Sequence, residues 1–306
     1  MSSVPTSAPP ASAPHAAGRL GAAVGVYAEL TKARLSALVV ATTAAGYALG
    51  STDRLDLAGL AWAVLGTSLS ALGANGLNQW LERARDARME RTRERPLPAG
   101  RLEPARAFVV SLALVLVGTA ILAVGTNALT AGLNVLTVAL YVLVYTPLKT
   151  RSSLCTLVGA IVGGIPPMMG YAAATGTIGA GAWILFAVLF AWQIPHFLSL
   201  AWLYREDYRR GGYVMLPLGD PTGRITFEVT VLYALALVPL GLASFLAGLT
   251  GWASVAGSLA LGGAFFALTL QLRRRRGDRE ARRVFLASLV YLPLLLGLLV
   301  ADHALR

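Results

Sequence analysis

One cysteine, three histidines and little charge are what this chain of 306 residues has to work with. The lone thiol, Cys155, excludes an internal disulfide and is too little for a thiolate metal centre. Set between Leu154 and Thr156, it reads as a small packed side chain. Charged residues make up 13% of the chain, against roughly 25% in soluble domains. With 56% hydrophobic residues and a mean hydropathy of +0.64, that deficit excludes an ordinary soluble domain and points to a lipid bilayer. Acid is scarcer than base, 15 residues against 26, for a net charge of +11. The basic residues lie between apolar runs rather than on a soluble domain, so no nucleic-acid partner is expected. Residues 1–18 lack Lys and Arg, which excludes a charged signal-peptide start and an Arg-rich transit peptide. Rich in Pro, Ala and Ser, they read as a disordered tail before a single membrane-embedded domain, 19–306.

Nine apolar segments are present, near 35–52, 57–77, 107–126, 129–147, 154–174, 180–202, 226–248, 252–271 and 284–301. Most reach the ~20 residues that cross a bilayer, and lipid leaves helices as the default conformation. The first is the shortest and can borrow turns from 24–30. With the N-terminus in the cytoplasm, 24 of the 26 Lys and Arg residues fall in cytoplasmic connections, leaving only Arg54 and Arg306 outside. That asymmetry sets the orientation and puts the C-terminus outside; the membrane expected is the plasma (inner) membrane. The fold expected is an all-α, polytopic protein of nine transmembrane helices. The two longest cytoplasmic connections, 78–106 and 203–225, carry organised polar patterns.

In the first connection, Asn78, Glu82, Asp86 and Glu90 recur every four residues. If helical, they line one face where an oily helix reaches water. Grouped oxygen donors suit a hard divalent cation such as Mg²⁺, and Arg91 and Arg95 beside them suit a multiply charged phosphate. The bland alternative is a solvated loop of surface ion pairs, each worth little. Glu82 and Asp86 are the primary candidate ligands, with Asn78 as a neutral donor. In the second connection, Arg205-Glu-Asp207-Tyr208-Arg-Arg-Gly-Gly-Tyr213, Asp207 is the candidate further ligand, or a counter-ion in a basic loop. Gly211-Gly212 offers backbone angles that would let this loop close over a ligand.

Lys149, in Tyr145-Thr-Pro-Leu-Lys149, is either a phosphate-binding point charge or a topology anchor. His196 lies inside the sixth apolar segment, in Trp192-Gln-Ile-Pro-His196-Phe. A helix histidine is usually a packing residue, but an ionisable group in lipid is costly and points to function. Neutral imidazole is also a natural axial ligand for haem iron.

Taken in order, these motifs resemble the UbiA superfamily of intramembrane prenyltransferases, and within it the branch that farnesylates haem. Asn78…Glu82…Asp86…Met89-Glu-Arg-Thr92…Arg95-Pro-Leu is similar to the first aspartate-rich motif. Tyr145-Thr-Pro-Leu-Lys149, Gly163-Gly-Ile-Pro-Pro167 and Gly170-Tyr resemble the central signature. Trp192-Gln-Ile-Pro-His196-Phe and Asp207-Tyr…Gly212…Met215-Leu-Pro217 resemble the later ones, and Leu30-Thr-Lys32-Ala-Arg34 the opening one. The match spans roughly 27–225. Glu82 stands where Asp is frequent and Ala84 where many members have another Asp. The second loop lacks the paired aspartates of quinone-type members, which favours the haem branch.

The resemblance implies a lipid-facing cavity roofed by the cytoplasmic loops. Farnesyl diphosphate, haem B and water would give haem O and diphosphate, with a haem A synthase as a downstream partner. It assigns Mg²⁺ to Asn78, Glu82, Asp86 and Asp207, the diphosphate to Arg91, Arg95 and Lys149, and haem contact to His196. Catalysis would rest on Asp86, Glu82 and Asp207. Two rival readings are a prenyltransferase for an aromatic quinone precursor, which shares the clamp, and a secondary transporter. The transporter should carry ionisable groups near the bilayer midplane, whereas here nearly every charge lies at one edge.

Overall fold

The computed structural model describes residues 24–306 apart from Asp53; the expected tail, 1–18, and the topology charge Arg19 lie outside the described residues. Among the described residues there is no strand. The long helices are α1 (Ala33–Gly50), α2 (Leu57–Asp86), α3 (Pro104–Gly125), α4 (Ala128–Leu148), α5 (Cys155–Thr175), α6 (Ala180–Leu203), α7 (Arg224–Leu246), α8 (Trp252–Arg275) and α9 (Asp278–Ala304). From α2 onward all eight are long and apolar enough to cross a membrane. A ninth span forms if α1 is taken with the short helix Val24–Leu30, from which it bends by 65°. The protein is therefore an integral membrane protein, its spans helical as a bilayer without partners for open backbone groups requires.

The bend falls at Lys32, whose φ of 49° is in the left-handed region that non-glycine residues rarely adopt. Two further helices depart from regularity. A π-helical turn, Leu140–Tyr145, interrupts α4, and α7 breaks before Pro239. Side chains cap the starts of α2 and α4: Asp56 accepts from the Ala58 amide, and Asn127 from the Thr130 amide.

Helix α1 packs against α2, α5 and α9, while α6 joins α5 to α7 and α9. The α1–α5 crossing is close because glycines face backbone there. A β-carbon on Gly170 would lie 1.9 Å from the Thr43 carbonyl oxygen, and one on Gly46 would lie 2.0 Å from that of Pro167. Small residues that let helices approach this way are a general device in lipid. At the end opposite the basic loops, His303 bridges Leu249 and Ser51, with ring nitrogens 2.6 and 2.8 Å from their carbonyl oxygens.

Candidate active site

α2 stays helical for nine residues beyond the oily run that ends at Leu77, and stops at Asp86. Asn78, Glu82 and Asp86 therefore share one buried face; the three are at most 5% exposed. The face does not continue to Glu90. After Asp86 the chain turns, with the Thr92 hydroxyl donating to the Asp86 carbonyl at 2.9 Å. Glu90 is consequently thrown outward, onto Arg210 at 2.6 Å.

The buried face meets two lysines. Lys149 Nζ lies 2.7 Å from Glu82 Oε1, and Lys32 Nζ donates to Asn78 Oδ1 at 2.9 Å. The Asn78 amide in turn donates to Glu82 Oε2 and to the Thr146 hydroxyl. Arg95 pairs with Asp86 Oδ2 at 2.8 Å, while the other Asp86 oxygen, Oδ1, is buried with no hydrogen-bond partner. Burial lowers the Lys149 pKa, but the facing Glu82 carboxylate more than offsets it, and the net shift is upward. Lys149 also sits 4.6 Å from the Tyr145 ring centre and 5.8 Å from that of Tyr213. The Tyr213 hydroxyl is itself held above its usual pKa by burial, then by Glu82 and Asp86.

All these residues except Thr146 line one cavity of ≈400 Å³ between α1, α2, α4, α5 and α6. Asn78, Glu82, Asp86, Arg91, Arg95 and Lys149 stand at its basic end, together with Lys32. Farther along come apolar and weakly polar walls, including Leu38, Val39, Ala74, Val138, Val162 and Met169. His196 lines the same cavity. Asp207 does not: it borders a separate depression with Glu90, Arg91 and Arg210. Its carboxylate accepts from the Glu90 and Arg91 amides, both at 3.2 Å, and so ties the second loop to the first. The same loop returns through Gly212, at φ 70°, and its Val214 amide donates to the Lys149 carbonyl at 2.7 Å. Among the described residues no three His, Cys, Asp or Glu side chains form a metal-binding group.

Sequence reasoning placed Lys32 in a motif but not in the site. A signal was available: Lys32 and Lys149 are the only lysines, so the other 24 basic residues are all arginine. Both lysines are at this cluster.

Four cations and two carboxylates leave this pocket with surplus positive charge and an apolar annex, an arrangement suited to a multiply charged head on a hydrocarbon tail. The chain belongs to the UbiA prenyltransferase family, whose sequence model matches residues 39–290. A curated relative from Salinibacter ruber (strain DSM 13855 / M31), the protein "Protoheme IX farnesyltransferase", is 45% identical over 276 residues, 90% of this chain and 98% of the relative. Solved structures share the fold at low identity. A digeranylgeranylglyceryl phosphate synthase superimposes with a TM-score of 0.78 at 15% identity, over 92% of this chain and 99% of that one. A UbiA homologue from Archaeoglobus fulgidus, bound to GPP and Mg²⁺, has a TM-score of 0.63 at 16% identity, over 91% and 99%.

Proposed function

We propose that this protein is an intramembrane prenyltransferase that converts haem B, farnesyl diphosphate and water to haem O and diphosphate. The observation that carries the diphosphate end is the Lys32–Asn78–Glu82–Lys149 network beside the Asp86–Arg95 pair, buried at the mouth of an apolar cavity. The acceptor is supported by the relative's identity over nine-tenths of this chain.

The farnesyl chain occupies the apolar annex; burying about fifteen carbons contributes of order 10 kcal/mol at ~0.8 per methylene, before ordering costs. The diphosphate enters the surplus positive field of Lys32, Lys149, Arg91 and Arg95. These cations stabilise the charge that develops on it as the allylic carbon–oxygen bond breaks. Rings of Tyr141 and Tyr145, stacked with centres 5.6 Å apart, line the cavity and offer π-faces to the allylic cation. The terminal carbon of a haem vinyl group attacks that cation. Water then adds to the carbon next to the pyrrole and loses a proton, giving the hydroxyethylfarnesyl group. An enclosed, lipid-facing site keeps water from the cation until then.

The residues fit a divalent cation. Asp86 Oδ1 is buried without a partner, and Mg²⁺ is commonly held by one or two carboxylates plus substrate phosphates. Asp86 and Glu82 would hold it, with Asn78 orienting Glu82 and able to offer an oxygen. When bound it supplies Lewis-acid polarisation of the phosphate oxygens. Asp207, already engaged by backbone amides, serves by fixing the loop that carries Arg91. His196 contacts haem. The basic loops face the cytoplasm of a plasma membrane, the C-terminus faces out, and the product passes to a haem A synthase.

The test incubates purified protein with haem B, farnesyl diphosphate and Mg²⁺ and reads product mass. Farnesylated, hydrated haem is expected from the wild type and none from Asp86→Ala folded in membrane. Prenylation of an aromatic acid with haem untouched would overturn the acceptor, and full activity of Asp86→Ala the metal assignment.

A further inference from the structure

His196 belongs to a small network that joins α6 to α9 on the wall of the cavity. Its Nδ1 lies 2.8 Å from the Ser288 hydroxyl oxygen. That hydroxyl is fully buried and lies 2.6 Å from the Phe285 carbonyl oxygen, to which it donates. A serine hydroxyl has one hydrogen, and two oxygens so close would repel without a hydrogen between them. The hydrogen is thus spent on Phe285, and Ser288 faces His196 as an acceptor. Nδ1 must then carry the ring proton. In a neutral imidazole this leaves Nε2 with its lone pair, and Nε2 has no hydrogen-bond partner among the described residues.

The ring is also held in place. Trp192 stacks on it with centres 5.0 Å apart and planes 22° apart, and Phe285 lies at 5.0 Å. The Trp192 indole N–H donates to the Ser288 carbonyl at 2.8 Å, so both ring and serine are fixed relative to α9.

We infer that Ser288 is a positioning residue that sets the tautomer of His196, so that its bare Nε2 faces the cavity as an axial ligand for the iron of the acceptor haem. This rests on the haem reading above and adds to it which nitrogen binds and what selects it. A ligating histidine is normally oriented by a hydrogen bond at its other nitrogen, and loss of such a partner typically costs 10–100-fold in affinity.

Two measurements test it. With only three histidines, ¹⁵N-histidine solid-state NMR of the full chain in bilayers can be assigned using His196→Ala, and an Nδ1–H tautomer is expected. An Nε2–H tautomer overturns the inference, whether or not any variant folds. Haem titration followed by the Soret band should show about 10-fold weaker binding and an altered iron–imidazole signature in Ser288→Ala. Ser288→Thr, which keeps the hydroxyl, should restore both, and farnesyl diphosphate KM should not move. In a His196→Ala background, Ser288→Ala should have no further effect on haem affinity. If the wild type makes farnesylated haem while Ser288→Ala binds haem as before, the positioning role alone fails. If the wild type makes no such product, the haem reading fails and takes this inference with it.

Discussion

Removing Lys149 should separate what holds this site together from what it does. Its ammonium is 2.7 Å from Glu82, and the two side chains are 11% and 6% exposed, so neither charge is well solvated. Lys149→Met leaves the carboxylate buried with one cation fewer, which for a broken buried pair costs about 3–5 kcal/mol. At roughly 2–4 °C per kcal/mol, the thermal midpoint should fall by about 10 °C. Replacing both partners, Lys149→Met with Glu82→Leu, removes the stranded charge, and most of the loss should return, because such pairs exchange for apolar residues at little net cost. Prenyl transfer should be absent from both variants. The chain supplies its own assay: Cys155 is the single thiol and is buried, so its reaction with a fluorogenic maleimide on heating reports unfolding one-to-one. A single variant as stable as the wild type, or a double variant no better than the single, would refute the reasoning. An active double variant would remove both residues from the chemistry.

Asp207→Asn should loosen the loop it pins through the Glu90 and Arg91 amides; faster tryptic cleavage within 88–95 and a lower kcat/KM are expected, and an unchanged cleavage rate would count against the pin. Gly170→Ala should force α1 from α5, since its β-carbon would collide with the Thr43 carbonyl, and lower the stability by about 1–3 kcal/mol or more, read as a lower thermal midpoint. Gly132→Ala in α4, which meets nothing within 4 Å, is the control and should be neutral or slightly stabilising.

The spans were legible because lipid forces long apolar runs into helices: the run 180–202 became Ala180–Leu203, and 154–174 became Cys155–Thr175. The four-residue spacing of Asn78, Glu82 and Asp86 also sufficed, since one helix carries all three. Spacing failed at Glu90 because nothing local marks the end of α2; the turn is fixed by Thr92 reaching back to Asp86. Asp207 illustrates a different limit, since a string of letters does not show that backbone amides 116 and 117 positions away use its oxygens. Lys32 was hidden by being read as a topology charge. Ser288 gave no signal at all: in an apolar run it is an ordinary small residue, and it gains meaning only when α9 lies against His196.

The π-helical turn at Leu140–Tyr145 has a consequence for how such a protein can change. Turns of this kind hold one residue more than a regular helix, and are frequent at functional sites. A wide turn absorbs its extra residue locally, so deleting one residue between 140 and 145 would let the turn close to ordinary winding and leave Lys149 near Glu82. The same deletion in the regular winding of Ala128–Ala139 would rotate all that follows by about 100° and swing Lys149 away. Both shortened segments would still traverse the bilayer, so hydropathy cannot tell a deletion the chemistry survives from one it does not.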